Sequence, residues 1–203
     1  MNRHKQERAE ETQQRIMQSA LLIFSKKGYQ ATSVAEICEL AGVTKGAFFY
    51  HFPTKQSLFL ALLENWLERL DRILETERTG KENIADALSA MADLLRLGLS
   101  QGEVYLPMFL EFWLQALRDR EVWQKVIEPY RRYRAFFEEM FQQGIADKSL
   151  KPFDPQVTAI AAVSLALGLL LQGTMDPEGA LWDEMAPATF RWMLDLMRLP
   201  QTD

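Results

Sequence analysis

Between Thr32 and Lys55 the chain reads TSVAEICELAGVTKGAFFYHFPTK, a stretch that holds hydroxyls, two lysines and a histidine around an Ala-Gly-Val turn. The spacing builds two capped helices. Ser33 followed by Glu36 is a capping-box pair, a hydroxyl for the orphan N–H groups of the first turn and a carboxylate reaching back to the cap. Thr44 can cap the second helix. Gly42 stands where the chain must turn sharply, which a residue without Cβ does at low cost. Helix, tight turn, helix is the geometry that presents a second helix to the DNA major groove. The chemistry on offer is therefore noncovalent: donors held out to phosphates and base edges.

Catalytic chemistry needs a constellation, and the sequence contains none. Its 2 histidines, His4 and His51, both lie near the N-terminus. There is no phosphate-cradling glycine loop, no paired-cysteine metal site and no nucleophile elbow, so neither metal nor cofactor is expected and the chain does not read as an enzyme. Glu111 and Gln115, on an aromatic-rich segment, can face a cavity; a lone buried carboxylate more often satisfies a structural bond or meets a ligand. A purely structural helical adaptor is the other rival. Nothing in folding demands an AGVTKG turn, which argues against it.

Composition narrows the setting. The 203 residues suit one globular domain or two small ones, and 48% hydrophobic with 25% charged residues is ordinary for a folded protein with a real core. A single cysteine, Cys38, excludes an internal disulfide framework and suits a reducing, cytoplasmic compartment. The first fifteen residues, MNRHKQERAEETQQR, are too polar for a signal peptide. The net charge of −5 is unevenly placed: residues 1–57 carry eight Lys/Arg against five acids, and the remainder fifteen against twenty-three. A basic head on an acidic body approaches phosphate with one end only.

The elements that position the turn are helical. Ile16, Ala20, Ile23 and Phe24 recur at helical spacing, which predicts a first helix over residues 5–27 with Gly28 as its stop. Short helices follow at about 34–40 and 45–51, and Pro53 ends the third. Ile16, Leu21, Phe24, Val34, Ile37, Leu40, Val43, Phe48 and Phe52 can form a small shared core. A long helix over 55–78 carries Leu58, Leu62, Leu63, Trp66, Leu70, Ile73 and Leu74 as one stripe and runs without a linker into the acidic body. Helices over 83–100, 104–117 and from Asp119 to about Ala146 come next, the last with Pro129 as an expected kink.

Residues 156–175 carry no charge, about the length that can span a bilayer. Interspersed Gln156, Thr158, Ser164, Gln172 and Thr174, with many small residues, favour a buried helix over a membrane span. The final helix reaches Leu199. Trp182, Met185, Thr189, Trp192, Leu196 and Leu199 form one row, and Ala186, Phe190, Met193 and Met197 another. Two apolar faces need two burial partners, one of them a second subunit, so two copies would make a four-helix interface. The expected interface residues are Leu165, Leu169, Trp182, Met185, Thr189, Trp192 and Leu196. The aromatic surplus of the body predicts a ligand pocket lined by Trp66, Met108, Phe109, Phe112, Trp113, Tyr133, Phe137 and Leu170. Clustered rings suit an apolar or cationic small molecule.

About 60 residues at the start resemble the TetR family of transcriptional repressors. Gly28, Thr32-Ser33, Ile37, the run Ala41 to Gly46, His51-Phe52, Lys55 and Leu58 carry the resemblance in order and spacing. A fainter likeness, in EFWLQALRD and the run from Gly168 to Gln172, is to regulators of the choline–betaine type. The resemblance implies an all-α fold of about nine helices: a three-helix helix-turn-helix head (residues 1–54) and a helical ligand-binding and dimerisation body (residues 55–203). It also implies a homodimer on a near-palindromic double-stranded operator, released when a small effector enters the body.

Carried over by position, the recognition helix runs from Thr44 to His51. Lys45 and Gly46 face bases, Ala47 a thymine methyl, and Thr32, Ser33, Lys55 and His51 the phosphates. Two departures stand out. The family's frequent phosphate-binding tyrosine falls on Phe49, with Tyr50 about 100° further round the helix. A basic residue common on the preceding helix is Ala35 here. Specificity then leans on Lys45 and on an N-terminal arm of Arg3, Lys5 and Arg8.

Overall fold

The computed structural model describes residues 3–100, 110, 113–114 and 116–200. Nine helices occur among them: α1 (Arg3–Lys27), α2 (Val34–Ala41), α3 (Lys45–His51), α4 (Lys55–Thr79), α5 (Ile84–Met91), α6 (Asp93–Ser100), α7 (Arg120–Ala146), α8 (Pro155–Met175) and α9 (Trp182–Met197). The described residues form no strand; a single isolated bridge pairs Leu150 with Arg198.

Local chemistry sets most of the ends. Ser33 caps α2 with both halves of the capping box in place. Thr44 Oγ1 accepts from Ala47 N at 3.1 Å, and Thr54 caps α4 in a second reciprocal pair with Ser57. Asp154 caps α8 ahead of Pro155 at its first position. Each such cap contributes about 1 kcal/mol. Gly42 closes α2 in the left-handed region (φ 63°, ψ 40°), where its N–H reaches Cys38 O and Glu39 O. A side chain there would strain the turn that orients α3.

Three features depart from the expectations. The helix over 83–100 is two helices: Ala92, fully buried, keeps right-handed dihedrals, but its N–H bonds reach only to Ser89 and Ala90, which tightens the turn. Arg3, Lys5 and Arg8 belong to α1 and form no separate arm. Leu40 is half exposed and leaves the head core, while Phe59 and Leu67, outside the anticipated stripe of α4, are buried in it. The anticipated helix over 104–117 falls mostly outside the described residues.

The buried side chains fall into two clusters. The first gathers Ile16, Phe24, Ile37, Phe48 and Phe52 of the head with Leu58, Phe59, Leu62, Leu63 and Leu67 of α4, and takes in Ala116, Val122 and Val126 from the body. The second joins α5, α6, α7, α8 and α9 around Leu88, Met140, Phe141, Phe190 and Leu194. Tyr133 packs against both. Helix α4 therefore contributes its first half to one core and Leu70 and Leu74 to the other. Packing is tight where α5 and α7 meet the 147–150 turn: a Cβ added at Gly144 would lie 2.5 Å from Leu150 Cδ1. At the other end, Arg198 Nη2 holds Asp86 at 2.9 Å and Ala85 O at 3.0 Å, pinning the end of α9 to α5.

The charge-free helix α8 has a mean hydropathy of 1.8, enough by length and composition to cross a membrane. In the fold, one of its faces, with Ala159, Ala162, Val163, Leu169 and Gly173, is buried, and Ala159, Ala162 and Leu169 belong to the second cluster. Val157, Ile160, Leu171 and Met175 are exposed on the opposite side.

Candidate functional site

Helix α3 is held by its inward residues and presents the rest. Phe48 is fully buried and Phe52 nearly so, which anchors one face. Lys45 and Gly46 are exposed, Ala47 and His51 half-buried. Phe49 is 49% exposed and Tyr50 79%. Phe49 leans edge-on against Phe48, and Tyr50 edge-on against His51. A cation, a bare backbone stretch and two aromatic rings thus share one surface, the mixture that meets phosphates, sugars and base edges. A Cβ at Gly46 would meet only Thr44 Oγ1, at an unstrained 3.8 Å, so nothing within the chain demands glycine there.

The residues before α3 take part in the chain's own hydrogen bonds. Thr32 is buried, and its hydroxyl donates to Gly28 O at 2.8 Å. Ser33 stays exposed, but its N–H and its hydroxyl both donate to Glu36 Oε2, at 2.9 Å each. In the DNA-free chain these hydroxyls close the turn and the cap. A phosphate approaching the start of α2 would meet the Glu36 carboxylate. Glu36 also pairs with Lys27, and that contact, with the Ser33 hydrogen bonds, lowers its pKa from 4.5 to about 2.

Lys55 is likewise more than a surface cation. Its Nζ donates to Tyr29 O at 2.7 Å and to Thr32 O at 2.8 Å, and lies 4.2 Å from the centroid of the Tyr29 ring. Tyr29 stacks on Phe59 one turn further along α4, at 4.2 Å between centroids. The ammonium thus fastens the first turn of α4 to the loop between α1 and α2. Cys38 is buried, and burial raises its thiol pKa.

In the body a cavity of about 230 Å³ opens between α4, α6, α7 and α8. Of the anticipated pocket residues, Trp66, Tyr133, Phe137 and Leu170 line it. Trp113 does not; it packs toward the head cluster, edge-on to Tyr130 at 5.8 Å. Met108, Phe109 and Phe112, with Glu111 and Gln115, lie outside the described residues. Among the lining residues not anticipated are Tyr130 and Arg69. Both were within reach of spacing, since Tyr130 sits three residues before Tyr133 and Arg69 three after Trp66. Tyr133 ties the cavity wall to α4: its hydroxyl reaches Asp71 Oδ1 at 2.7 Å and Leu67 O at 3.3 Å, while Arg132 holds Asp71 at 2.7 Å. Burial, then the Asp71 hydrogen bond, raise the Tyr133 pKa.

The anticipated interface residues divide. Met185, Trp192 and Leu196 are 51%, 65% and 58% exposed along one face of α9. Thr189, half-buried between them, bonds its own helix at Met185 O. Leu169 is buried in the chain's own core, and Leu165 and Trp182 pack against it, so these three turn inward. The Trp182 indole N–H donates to Asp176 O at 2.6 Å.

Comparison with known proteins agrees with this geometry. Residues 16–62 match the model of bacterial regulatory proteins of the tetR family, and residues 86–197 that of the C-terminal region of BetI-type transcriptional repressors. The chain is 39% identical over 95 residues to the HTH-type transcriptional regulator TtgR of Pseudomonas putida, a match that covers 47% of this chain and 44% of that one. It therefore spans less than half the length of that curated relative. The fold is similar to a putative transcriptional regulator from Saccharomonospora viridis in complex with choline (TM-score 0.79, 17% identity, 92% of this chain and 94% of that one). It is also similar to the transcriptional regulator FadR from Bacillus subtilis in complex with stearoyl-CoA (TM-score 0.77, 17% identity, 89% and 96%).

Two outcomes follow from the head. Lys55→Ala should lower stability by about 1–3 kcal/mol in denaturant melts of the DNA-free protein followed by circular dichroism, because two charge-assisted bonds are lost. An unchanged midpoint would reduce Lys55 to a surface cation. Glu36 has its pKa depressed on folding, so its contribution is complete above pH 4.5 and fades as pH falls toward about 2. The stability gap between the native chain and Glu36→Gln should close over that window; a gap independent of pH would contradict the assignment.

Proposed function

From the premise that the chain belongs to the TetR family of transcriptional regulators, and is a DNA-binding regulator and not an enzyme, we propose that it is a homodimeric repressor. Its two heads hold a near-palindromic operator and release it when a small, largely apolar molecule fills the body cavity. It works in the cytoplasm, where the operator is. The observation that carries this reading is helix α4, which packs in the head core through Leu58 and Phe59 and walls the cavity through Trp66, Leu70 and Ile73.

Base contact belongs to α3. Lys45 is the cation placed for guanine acceptors, and Gly46 lets the helix backbone approach the groove. Ala47 lies beside it for a thymine methyl. Tyr50, the most exposed ring of the head, takes the phosphate contact that Phe49 cannot make, and His51 flanks it. The cavity acts on these residues through α4. A molecule seated between α4 and α7 presses on the contact of Tyr133 with Leu67 O and Asp71. Any shift of α4 there moves the helix turn that Lys55 fastens to the head.

Dimerisation draws support from exposed apolar surface on two adjacent helices: Val157, Ile160, Leu171 and Met175 of α8 with Met185, Trp192 and Leu196 of α9. Gly168 of α8 has no atom within 4 Å of a built Cβ, an open position that suits close approach of a second backbone.

Three measurements test this. A DNA fragment flanking the protein's own gene should give a specific mobility shift at moderate salt, and its absence with a folded dimer would sink the repressor reading. Lys45→Ala should lose about 1–3 kcal/mol on the preferred site and flatten the preference between sites; a loss equal on all sequences would make it a phosphate contact. Trp192→Asp should yield a folded monomer in sedimentation velocity with the operator affinity reduced, and a persistent dimer would move the interface elsewhere.

A further inference from the structure

The cavity lining specifies the charge of its occupant. Most of it is aliphatic, with Leu70, Leu94 and Leu170 typical, and no described lining residue is an acid, amide, hydroxyl-bearing aliphatic or histidine. Four described lining side chains carry a polar group: Trp66, Arg69, Tyr130 and Tyr133. The Tyr133 hydroxyl is committed to Asp71 and Leu67 O. Arg69 is exposed where the cavity meets solvent and makes no hydrogen bond or ion pair among the described residues.

A cationic occupant would find no carboxylate among the described lining residues, and two of the rings already take cations of the chain: Arg134 lies 5.7 Å from the Tyr130 centroid and Arg132 5.4 Å from that of Tyr133, which leaves Trp66, Phe137 and Phe190. Arg69 would repel it across a low-dielectric wall, where charge interactions are strong. An anion reverses the sign of that interaction. A guanidinium with no partner among the described residues, on a side chain that lines an apolar cavity, matches one carboxylate in a two-pronged hydrogen bond, with the apolar part inside.

We infer that the effector is an apolar molecule carrying a single anionic group, a monocarboxylate in the simplest case, with its body in the cavity and its charge on Arg69. This deepens the repressor reading and rests on it. It separates the chain from the choline-bound structural neighbour, whose ligand is a quaternary ammonium.

The test uses the full-length protein and three ten-carbon probes below their micelle concentrations: decanoate, decanol and decyltrimethylammonium. Isothermal titration calorimetry should show decanoate binding about tenfold or more tightly than decyltrimethylammonium, with decanol between. Arg69→Gln should bring decanoate to the affinity of decanol and leave decanol unchanged. Leu170→Trp, which fills the cavity, should weaken all three. Decyltrimethylammonium binding as tightly as decanoate, decanoate failing to bind, or Arg69→Gln leaving the order unchanged would each overturn the inference. Loss of the specific operator shift in the native protein would instead strike the repressor reading, so the two failures are told apart.

Discussion

The ammonium of Lys55 is the point on which the head is built. Its donors close on Tyr29 O and Thr32 O, carbonyls of a loop that has no helix of its own to satisfy them. Buried carbonyls need partners, and a charged donor is the strongest available. The same residue opens α4, so a single side chain fixes both the entry to the helix-turn-helix and the start of the helix that leaves it. Tyr29, held beneath the ammonium, passes the contact to Phe59, and Phe24 meets Phe59 edge-on at 5.6 Å. The recognition helix keeps its angle because α2, α3 and α4 are all referred to this cluster.

That arrangement makes α4 a rigid link between two cores. The first cluster holds it through Leu67 and the second from Leu70 onward, with Tyr133 touching both. Between them lies the cavity. Packed interiors resist continuous deformation, so occupation of the cavity is expressed as a shift of the elements that wall it. The Arg132–Asp71–Tyr133 group is the polar contact at that junction, and its members sit on α4 and α7, the two helices that an occupant would separate. Coupling between cavity and head needs no longer path than this.

Legibility in the sequence followed the range of the interactions. The bounds of α2, α3 and α4 could be read because Ser33, Gly42, Thr44 and Thr54 act on residues within one helical turn. The role of Lys55 could not, since it is set by bonds that span 23 and 26 residues, and only a folded chain brings those groups together. Trp66, Tyr133 and Phe137 were legible as cavity residues because large rings cluster there. Arg69 was hidden because an arginine on a helix face ordinarily reads as solvated. In α8, apolar residues surround the helix with almost no preferred side, so spacing could not say that Leu165 and Leu169 turn inward while Ile160 and Leu171 turn out. The break at Ala92 carries no glycine or proline to announce it.

Two helical glycines carry the argument beyond the single chain. A glycine inside a helix costs up to about 1 kcal/mol relative to alanine, because the unfolded chain loses more freedom. Gly98, Gly144 and Gly173 have an internal reason: a Cβ at each would lie within 3 Å of a packed side chain. Gly46 and Gly168 have none among the described residues, and each lies near exposed groups, Lys45 and Tyr50 in one case and Leu171 in the other. A residue that weakens its own helix without easing any internal contact makes room for something outside the chain. One such position faces away from the head core on α3 and the other lies on the charge-free helix of the body, the surfaces that the proposed dimer would turn to DNA and to its own copy.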